Sequence, residues 1–409
     1  MSDPHLTDAH VRLRENVRKF AEAEIAAAVP GLEGARGSAD RELATLIARQ
    51  GWIGATIDRA YGGMGAGHLA KTIIIEEISR VSGAMGAMVQ ASQLGTAKII
   101  HYGTDEQKRT WLPQIASGDC LPTIAVTEPG SGSHVLGVGA TGRRRGRNYV
   151  LTGRKVYVGN SHIGHLHGIV VRTRPGSRGL TAFLVEADRP GLTLAPEVPA
   201  LGLHGFSFGE VILDNCPVPA ANMIGQEGDG LAVAYSSSVL YGRPNLTAVA
   251  LGIHQAVMEE VTAFTSERHR YGRHLHDLAN IKLKVGQIAS RLMTARLTAY
   301  HAAHLLDTGR PCDADLMNAK LVNTELAIDS ARAAMEIEAA AGLLINRPLE
   351  RFLRDALHLL APAGTSDIQL LRLGEAALGL GKAQWSEELA DAVGEARSDR
   401  APHTADAAV

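Results

Sequence analysis

Residues 124–161 read IAVTEPGSGSHVLGVGATGRRRGRNYVLTGRKVYVGNS, and the fold turns on how they are read. The first half is a run of small residues broken by Pro129 and four glycines, a composition that favours tight turns over helix. The second half contains YVLTGRKVYVG, rich in β-branched and aromatic residues, preceded by GRRRGR, which reads as the exposed tip of a hairpin. Outward from this stretch, GIVVRTR, LTAFLVEA and FGEVILD continue the strand-like pattern, so residues 121–232 are predicted to form an antiparallel β-domain. On either side the apolar spacing is helical. Upstream, RELATLIARQGWIGATI and HLAKTIIIEEISRVSGAMGAMV belong to an N-terminal helical domain over 1–120, with Thr104 as an N-cap. Downstream, helices are predicted near 231–264, 277–307, 313–341 and 366–380, making a C-terminal four-helix bundle over 233–385. Between the last two, LAPAGTSDIQLL (360–371) reads as a break, with Ser366 and Gln369 forming a capping box. The small, polar residues 386–409 are expected to be disordered. The fold class is α+β, with the β-block able to wedge between two helical layers.

Composition narrows the function. The chain has 409 residues, 45% of them hydrophobic, and a formal net charge of -2. Neither nucleic acid nor an anionic membrane is implied as a partner. Cys120, Cys216 and Cys312 are far apart, which argues against a disulfide framework and suits a reducing cytoplasm. The polar start lacks a signal-peptide core, and no apolar run approaches the roughly 18 residues of a membrane span. His162, His165 and His167 cluster in SHIGHLHG without a carboxylate or cysteine at ligand spacing, so a packed or exposed strand is expected there and no metal site. Glu76 and Glu77 fall on a helix and read as structural. The four arginines within Arg143–Arg147 read as a solvated tip, or alternatively as a surface that steers an acidic carrier protein.

The stretch 124–161 closely resembles the flavin-contacting segment of the acyl-CoA dehydrogenase family, whose pattern runs T-E-P-x-x-G-S-D, a hairpin, then G-x-K-x-(W/Y/F)-I-T-N. Further pieces follow in the family's order: GWIGATIDRAYGGMG (51–65), GTDEQKRTWLPQIASGD (103–119), LGLHGFSFGEVILDNCPVP (201–219), GQEGDGLAVA (225–234) and SERHRYG (266–272). The resemblance covers residues 10 to 385. It implies FAD as cofactor, with Val126, Thr127, Gly132 and Ser133 along the flavin's pyrimidine edge and phosphates, and Tyr157 packed on the ring. Thr365 closes the loop that faces it. Backbone N–H groups flanked by small residues suit that approach. It also implies that Arg268, with Tyr271 in its aromatic slot, reaches the pyrophosphate of a neighbouring subunit's FAD, where a guanidinium fork matches phosphate oxygens. A shared site requires an oligomer, a homodimer or homotetramer.

The resemblance makes the departures informative. The family's base glutamate lies in a stretch like Y-E-G-T, which here is PAGT, so its position is Ala363. A second location for the base, just before an arginine in LYGRPNLTA, is Gly242 followed by Arg243. General-base catalysis is worth about 10²- to 10⁴-fold, so ordinary fatty acyl-CoA oxidation is expected to fail. Candidate substitutes are His134, which replaces the aspartate of G-S-D, and Asp367, with Tyr241 and Arg243 lining the pocket. Gly159 replaces a threonine near the flavin, and Glu336 with Ala339 and Ala340 replaces Q-x-x-G-G near the neighbour's cofactor. Glu336 so placed would require pairing by Arg268 or Arg270. The implied function is non-standard flavin chemistry on a small acyl thioester borne by CoA or an acyl carrier protein. The alternatives are a non-catalytic partner subunit in a mixed oligomer and a flavin monooxygenase on this fold.

Overall fold

The computed structural model describes residues 5–35, 39–381 and 384–387; the expected disorder of 388–409 lies outside the described residues. The N-terminal region contains α1 (Asp8–Phe20), α2 (Val29–Ala35), α3 (Arg41–Ala48), α4 (Gly67–Val81), α5 (Gly83–Tyr102) and α6 (Asp105–Ala116). Thr104 caps α6 as expected: its hydroxyl accepts from the Gln107 amide, and the Gln107 side chain reaches back to the Thr104 N–H.

Eight strands follow: β1 (Pro122–Ala125), β2 (Thr141–Arg145), β3 (Asn148–Gly159), β4 (Leu166–Arg172), β5 (Leu180–Glu186), β6 (Leu192–Leu194), β7 (Phe208–Pro219) and β8 (Met223–Ile224). They form one sheet in the order β6-β7-β3-β2-β4-β5-β8, with β1 beside β4. The sheet is mixed, which corrects the antiparallel expectation: β1 runs parallel to β4 from Pro122↔Leu166 to Ala125↔Ile169, and β2 meets β4 in parallel at Thr141↔Arg172. Hydrophobic runs predict strands but carry no direction, and β1 reaches β4 only after the β2–β3 hairpin has intervened. The hairpin tip Arg143–Arg147 is exposed. Alternation divides the buried residues between two faces. Val170, Leu180, Ala182 and Leu184 pack toward the helices, while Ile169, Val171, Phe183 and Val185 join Leu151, Val211 and Leu213 in the domain's own core.

The C-terminal region begins with α7 (Gly230–Ser237), widens into a π-helical turn at Ser238–Gly242 and continues as α8 (Arg243–Glu267). Pro244 explains the widening, because it has no N–H to continue the regular ladder. A two-strand ribbon, β9 (His269–Arg270) and β10 (Arg273–His274), leads to α9 (Ala279–Asp307), α10 (Asp313–Glu338), α11 (Leu349–His358) and α12 (Ser366–Ala377). The break between α11 and α12 falls where the sequence places it, but the cap is Thr365, whose hydroxyl accepts from the Ile368 amide. The Ser366 hydroxyl instead bonds Glu325.

The β-domain does not separate the two helical regions, contrary to the expected wedge. Helix α4 packs directly on α8 and α9, at a crossing close enough that a Cβ on Gly252 would lie 2.3 Å from the Glu76 carbonyl oxygen. Glu76 and Glu77 are 2% exposed and structural, as expected. Glu76 accepts from Arg296 at 2.9 Å and from the Tyr300 hydroxyl, and Glu77 takes a two-pronged bond from Arg18 at 2.9 and 3.0 Å. Pairing is what permits such burial. No helix among the described residues is long and apolar enough to cross a membrane.

Candidate functional site

Two loops and a helix turn converge at the site. The first loop, Val126–Val138, is held by a pair that the sequence reading gave no role. Lys155, with a fully buried side chain, donates to the Val126 carbonyl at 3.0 Å and to the Glu128 carboxylate at 2.7 Å. Glu128 in turn accepts from the Gly139 and Ala140 amides at 2.7 and 3.0 Å. Glu128 and Ser131 exchange backbone bonds, and the Thr127 carbonyl accepts from Val156. The turn is thereby fixed from beneath, leaving Gly132, Ser133 and His134 exposed. A Cβ at Gly130 or Gly132 would meet nothing within 4 Å, so packing within this chain does not demand glycine there. The bare backbone there lies open to an outside group. The T-E-P and G-x-K motifs were the available signal for the Lys155–Glu128 pair.

Tyr157 sits in an irregularity of the β3–β7 register between Lys155 and Val158, with φ 58°. Bulges re-aim side chains, and this one leaves the tyrosine ring 65% exposed. One face stacks on Phe208, with centroids 5.5 Å apart, and Phe208 meets the His358 ring at 5.2 Å. His358 ends α11, so this aromatic ladder connects the β-domain to the loop at 359–365. Gly159 stands where the family has a threonine, and a Cβ there would be tight, 3.0 Å from the Phe206 ring and 3.1 Å from the Ala91 methyl. The exposed flat ring beside an open, glycine-lined loop suits a planar ring system with a phosphate tail, the shape of a flavin dinucleotide.

The second loop carries Ala363 in a left-handed conformation, φ 54°, followed by Gly364 at φ 95°. Two side chains brace it. Lys320, buried in α10, donates to the carbonyls of Leu360 and Gly364, both at 2.9 Å, and Gln369 donates to those of Ala363 and Gly364 at 3.0 and 3.1 Å. The sequence points to neither residue as a brace, and it predicts Gln369 in a capping box. Burial lowers the Lys320 pKa to about 8. The loop meets the π-helical turn directly, because a Cβ on Gly242 would stand 3.3 Å from the Ala363 methyl, 3.6 Å from the Ser238 hydroxyl and 3.8 Å from Leu94. Gly242 and Ala363, 121 positions apart, therefore face one another across a single spot.

The remaining candidates are more dispersed. Arg243, the next residue, is 6% exposed, and its Nε and Nη1 have no hydrogen-bond partner. Tyr241 is fully buried with its hydroxyl on Thr56 and its ring beneath the Lys71 ammonium, and burial raises its pKa to about 12. It is a poor acid or base. His134 is exposed, with its carbonyl accepting from Ser131. Asp367 lies exposed in the first turn of α12, where a carboxylate complements the helix dipole. No contact brings either residue to Ala363.

Arg268 is the C-cap of α8, just before the β9–β10 ribbon, whose turn carries Tyr271 at φ 51° and 89% exposed. These residues point away from the chain's own core. Glu336 pairs with Lys284, because the helices α9 and α10 are adjacent in the bundle. Ala339 occupies φ 51°, ψ −129° at the end of α10, a conformation suited to glycine. His167 is buried and bonded to Thr123, while His165 Nδ1 accepts from the Leu121 amide, so these rings are packing groups.

Comparisons with known proteins agree with this arrangement. The N-terminal, middle and C-terminal domains of acyl-CoA dehydrogenase match residues 7–119, 123–216 and 228–378. An acyl-CoA dehydrogenase of Bacillus subtilis is 34% identical over 378 residues, 92% of this chain and 99% of that protein. A glutaryl-CoA dehydrogenase from Mycobacterium smegmatis, solved in complex with FADH2, superposes with a TM-score of 0.87 at 25% identity, covering 94% of this chain and 98% of its own. The prolyl acyl carrier protein oxidase AnaB superposes with a TM-score of 0.85 at 27% identity, covering 91% and 99%. With all three domains matched in order along one continuous fold, this chain belongs to the acyl-CoA dehydrogenase family.

Proposed function

We propose that this chain is an FAD-dependent oxidoreductase that acts on a small acyl thioester, borne by CoA or a carrier protein, in a reaction that does not rely on a side-chain carboxylate as base. One observation carries the proposal: the two positions that the family resemblance assigns to the base, Gly242 and Ala363, face each other and present only a hydrogen and a methyl group. FAD, the cofactor of this family's site, supplies the hydride acceptor when bound.

The chain's own residues do the rest. The Val126–Ser133 loop, held by Lys155 and Glu128, offers backbone N–H groups to the flavin edge and phosphates. Tyr157 covers one face of the ring, while Lys320 and Gln369 hold the Ala363 loop, capped by Thr365, against α8. The narrow spot between Gly242 and Ala363 suits oxidation at a heteroatom-bearing carbon, whose substituent can release a proton without the family's glutamate. AnaB is a carrier-protein oxidase with this fold, and the exposed Arg143–Arg147 tip provides a positive surface for an acidic carrier. Exposed Leu343, Leu344, Ile345, Leu370 and Leu371 support an oligomer in which Arg268 reaches a neighbouring FAD.

The test is to purify the chain alone and record its visible spectrum, then offer a panel of short acyl groups on CoA and on carrier proteins with a dye or oxygen as acceptor. Flavin absorption with turnover of a heteroatom-bearing acyl group is the expected result. A colourless protein that stays so with added FAD, co-purifying with a second chain of this family, overturns the proposal in favour of a non-catalytic subunit. Oxygen consumption yielding a hydroxylated product identifies a monooxygenase instead.

A further inference from the structure

We propose that the cavity beside the start of α4 binds a small oxyanion, a phosphate or a short carboxylate, at a site separate from the Gly242–Ala363 spot and independent of how that spot is read.

The cavity has a volume of about 200 Å³, and His68, His101, Leu306, Asp307, Arg310 and Ser386 line it. It forms where the start of α4 and the end of α5 meet the turn after α9. The end of α4 is not itself the anchor, because Asp307 already accepts from the His68 and Leu69 amides at 2.5 and 2.9 Å. What stays open is a set of side-chain donors. The Lys71 ammonium, fully buried, donates to His68 Nδ1 at 3.0 Å, which leaves the ring proton on Nε2. His101 Nε2 is buried without a hydrogen-bond partner. Arg310 is exposed, and its guanidinium forms no ion pair among the described residues. The same rings adjoin Tyr241, the residue before Gly242: its centroid lies 5.0 Å from that of His68 and 5.8 Å from that of His101, with the Lys71 ammonium 4.3 Å above it.

The surroundings favour negative charge. Asp307, the one acid on the lining, keeps its own charge while accepting from the two amides. Against it stand Arg310 on the lining, Lys108, whose charge acts on His101, and Lys71, which burial brings to a pKa of about 7. Burial, then Lys108 and Lys71, lower the His101 pKa to about 4, and no acid pulls it the other way. A buried ring nitrogen with nothing to bond is costly. Two imidazole nitrogens and a guanidinium fork around one cavity match the several oxygens of an oxyanion. A metal ion is the other ligand that His68, His101 and Asp307 suggest by type. Lys71 and the two amides already occupy His68 Nδ1 and the Asp307 oxygens, and no three such side chains gather at metal-binding spacing among the described residues.

The test uses the full-length protein saturated with FAD, so that a flavin phosphate site is filled, dialysed to equilibrium against labelled inorganic phosphate and, separately, labelled acetate. Saturable binding of at least one anion, one per chain, is expected. Phosphate alone identifies a phosphate-bearing ligand and acetate alone a carboxylate, and either result upholds the site. Arg310→Ala and His101→Phe each weaken binding by about ten-fold or more, whereas Arg143→Ala, on the hairpin tip, leaves it unchanged. No saturable binding of either anion overturns the proposal, and so does binding that Arg310→Ala and His101→Phe leave intact. Zinc held through His101 in place of an anion would overturn it in favour of a metal site. Should His101→Phe fail to fold, the exposed Arg310→Ala decides.

Discussion

Ala363 holds a left-handed backbone, φ 54°, with a methyl group pointed at Gly242. A non-glycine residue there costs of the order of 1–3 kcal/mol, a strain that surrounding structure must over-determine. Lys320 and Gln369 do so by gripping the carbonyls on both sides. Among the described residues, five of the seven non-glycine residues with positive φ, namely Tyr157, Asn160, Tyr271, Ala339 and Ala363, fall on segments that the resemblance assigns to the flavin or its base. Strain of this kind clusters where function constrains the chain. The backbone conformation of Ala363 is as open to glutamate as to alanine in Ala363→Glu, since both residues carry a Cβ. Ala363→Glu is therefore expected to raise the rate of α,β-dehydrogenation of butyryl-CoA by about 10²-fold or more. The check is dye reduction under anaerobic conditions; an unchanged rate would mean that the methyl group does not stand where a base can act.

At the scale of elements, the turn from α7 into α8 and the clasp after α12 shape the site. Pro244 interrupts the helical ladder and produces the π-helical turn that ends at Gly242. Beyond α12, residues 384–387 return to the start of α10. The Asp313 carboxylate takes three hydrogen bonds from Trp385 and Ser386, while the Cys312 amide donates to the Ser386 hydroxyl at 2.8 Å. Trp385 also stacks on Tyr235, with rings 5.9 Å apart and nearly parallel. Asp313→Ala leaves two buried amides without acceptors, so a loss of about 2–4 kcal/mol in denaturant melts is expected. Faster amide exchange at 384–387, with α4 and α5 unaffected, would accompany it.

At the scale of the whole molecule, one carboxylate joins the β-domain to the C-terminal helices. Asp355 of α11 is 2% exposed and accepts from the Leu203 amide at 2.6 Å, fixing the loop that leads to Phe206 and Phe208. Burial raises its pKa to about 6, against an ordinary 3.8, despite the neighbouring Arg351. The folded protein thus binds this proton more readily than the unfolded chain. Its contribution is fully present below about pH 4 and is lost as the pH rises through 6. Asp355→Asn is expected to flatten the fall in melting temperature over that interval, which a series of thermal melts from pH 4 to 7 would show; an unaltered slope would assign the effect to another group.

Much of this was legible in the sequence because it depends on local pattern. The helical and strand periods, the Thr104 cap, the exposed arginine tip and the break at 360–365 all follow from residues within a few positions of each other, as does the ordered set of motifs that marks the family. Other features depend on residues distant in sequence. Strand direction failed because β1 pairs with β4 across an intervening hairpin. The Ser366 cap failed because Glu325, on another helix, takes that hydroxyl. The partner of Glu336 within the chain is Lys284, which lies on the adjacent helix and far off in sequence. Sequence alone determined that positions 242 and 363, which the resemblance assigns to the base, carry glycine and alanine. Only the tertiary structure decided that those two positions are one place, flanked by an unpaired arginine, because burial and charge balance are properties of neighbours in space.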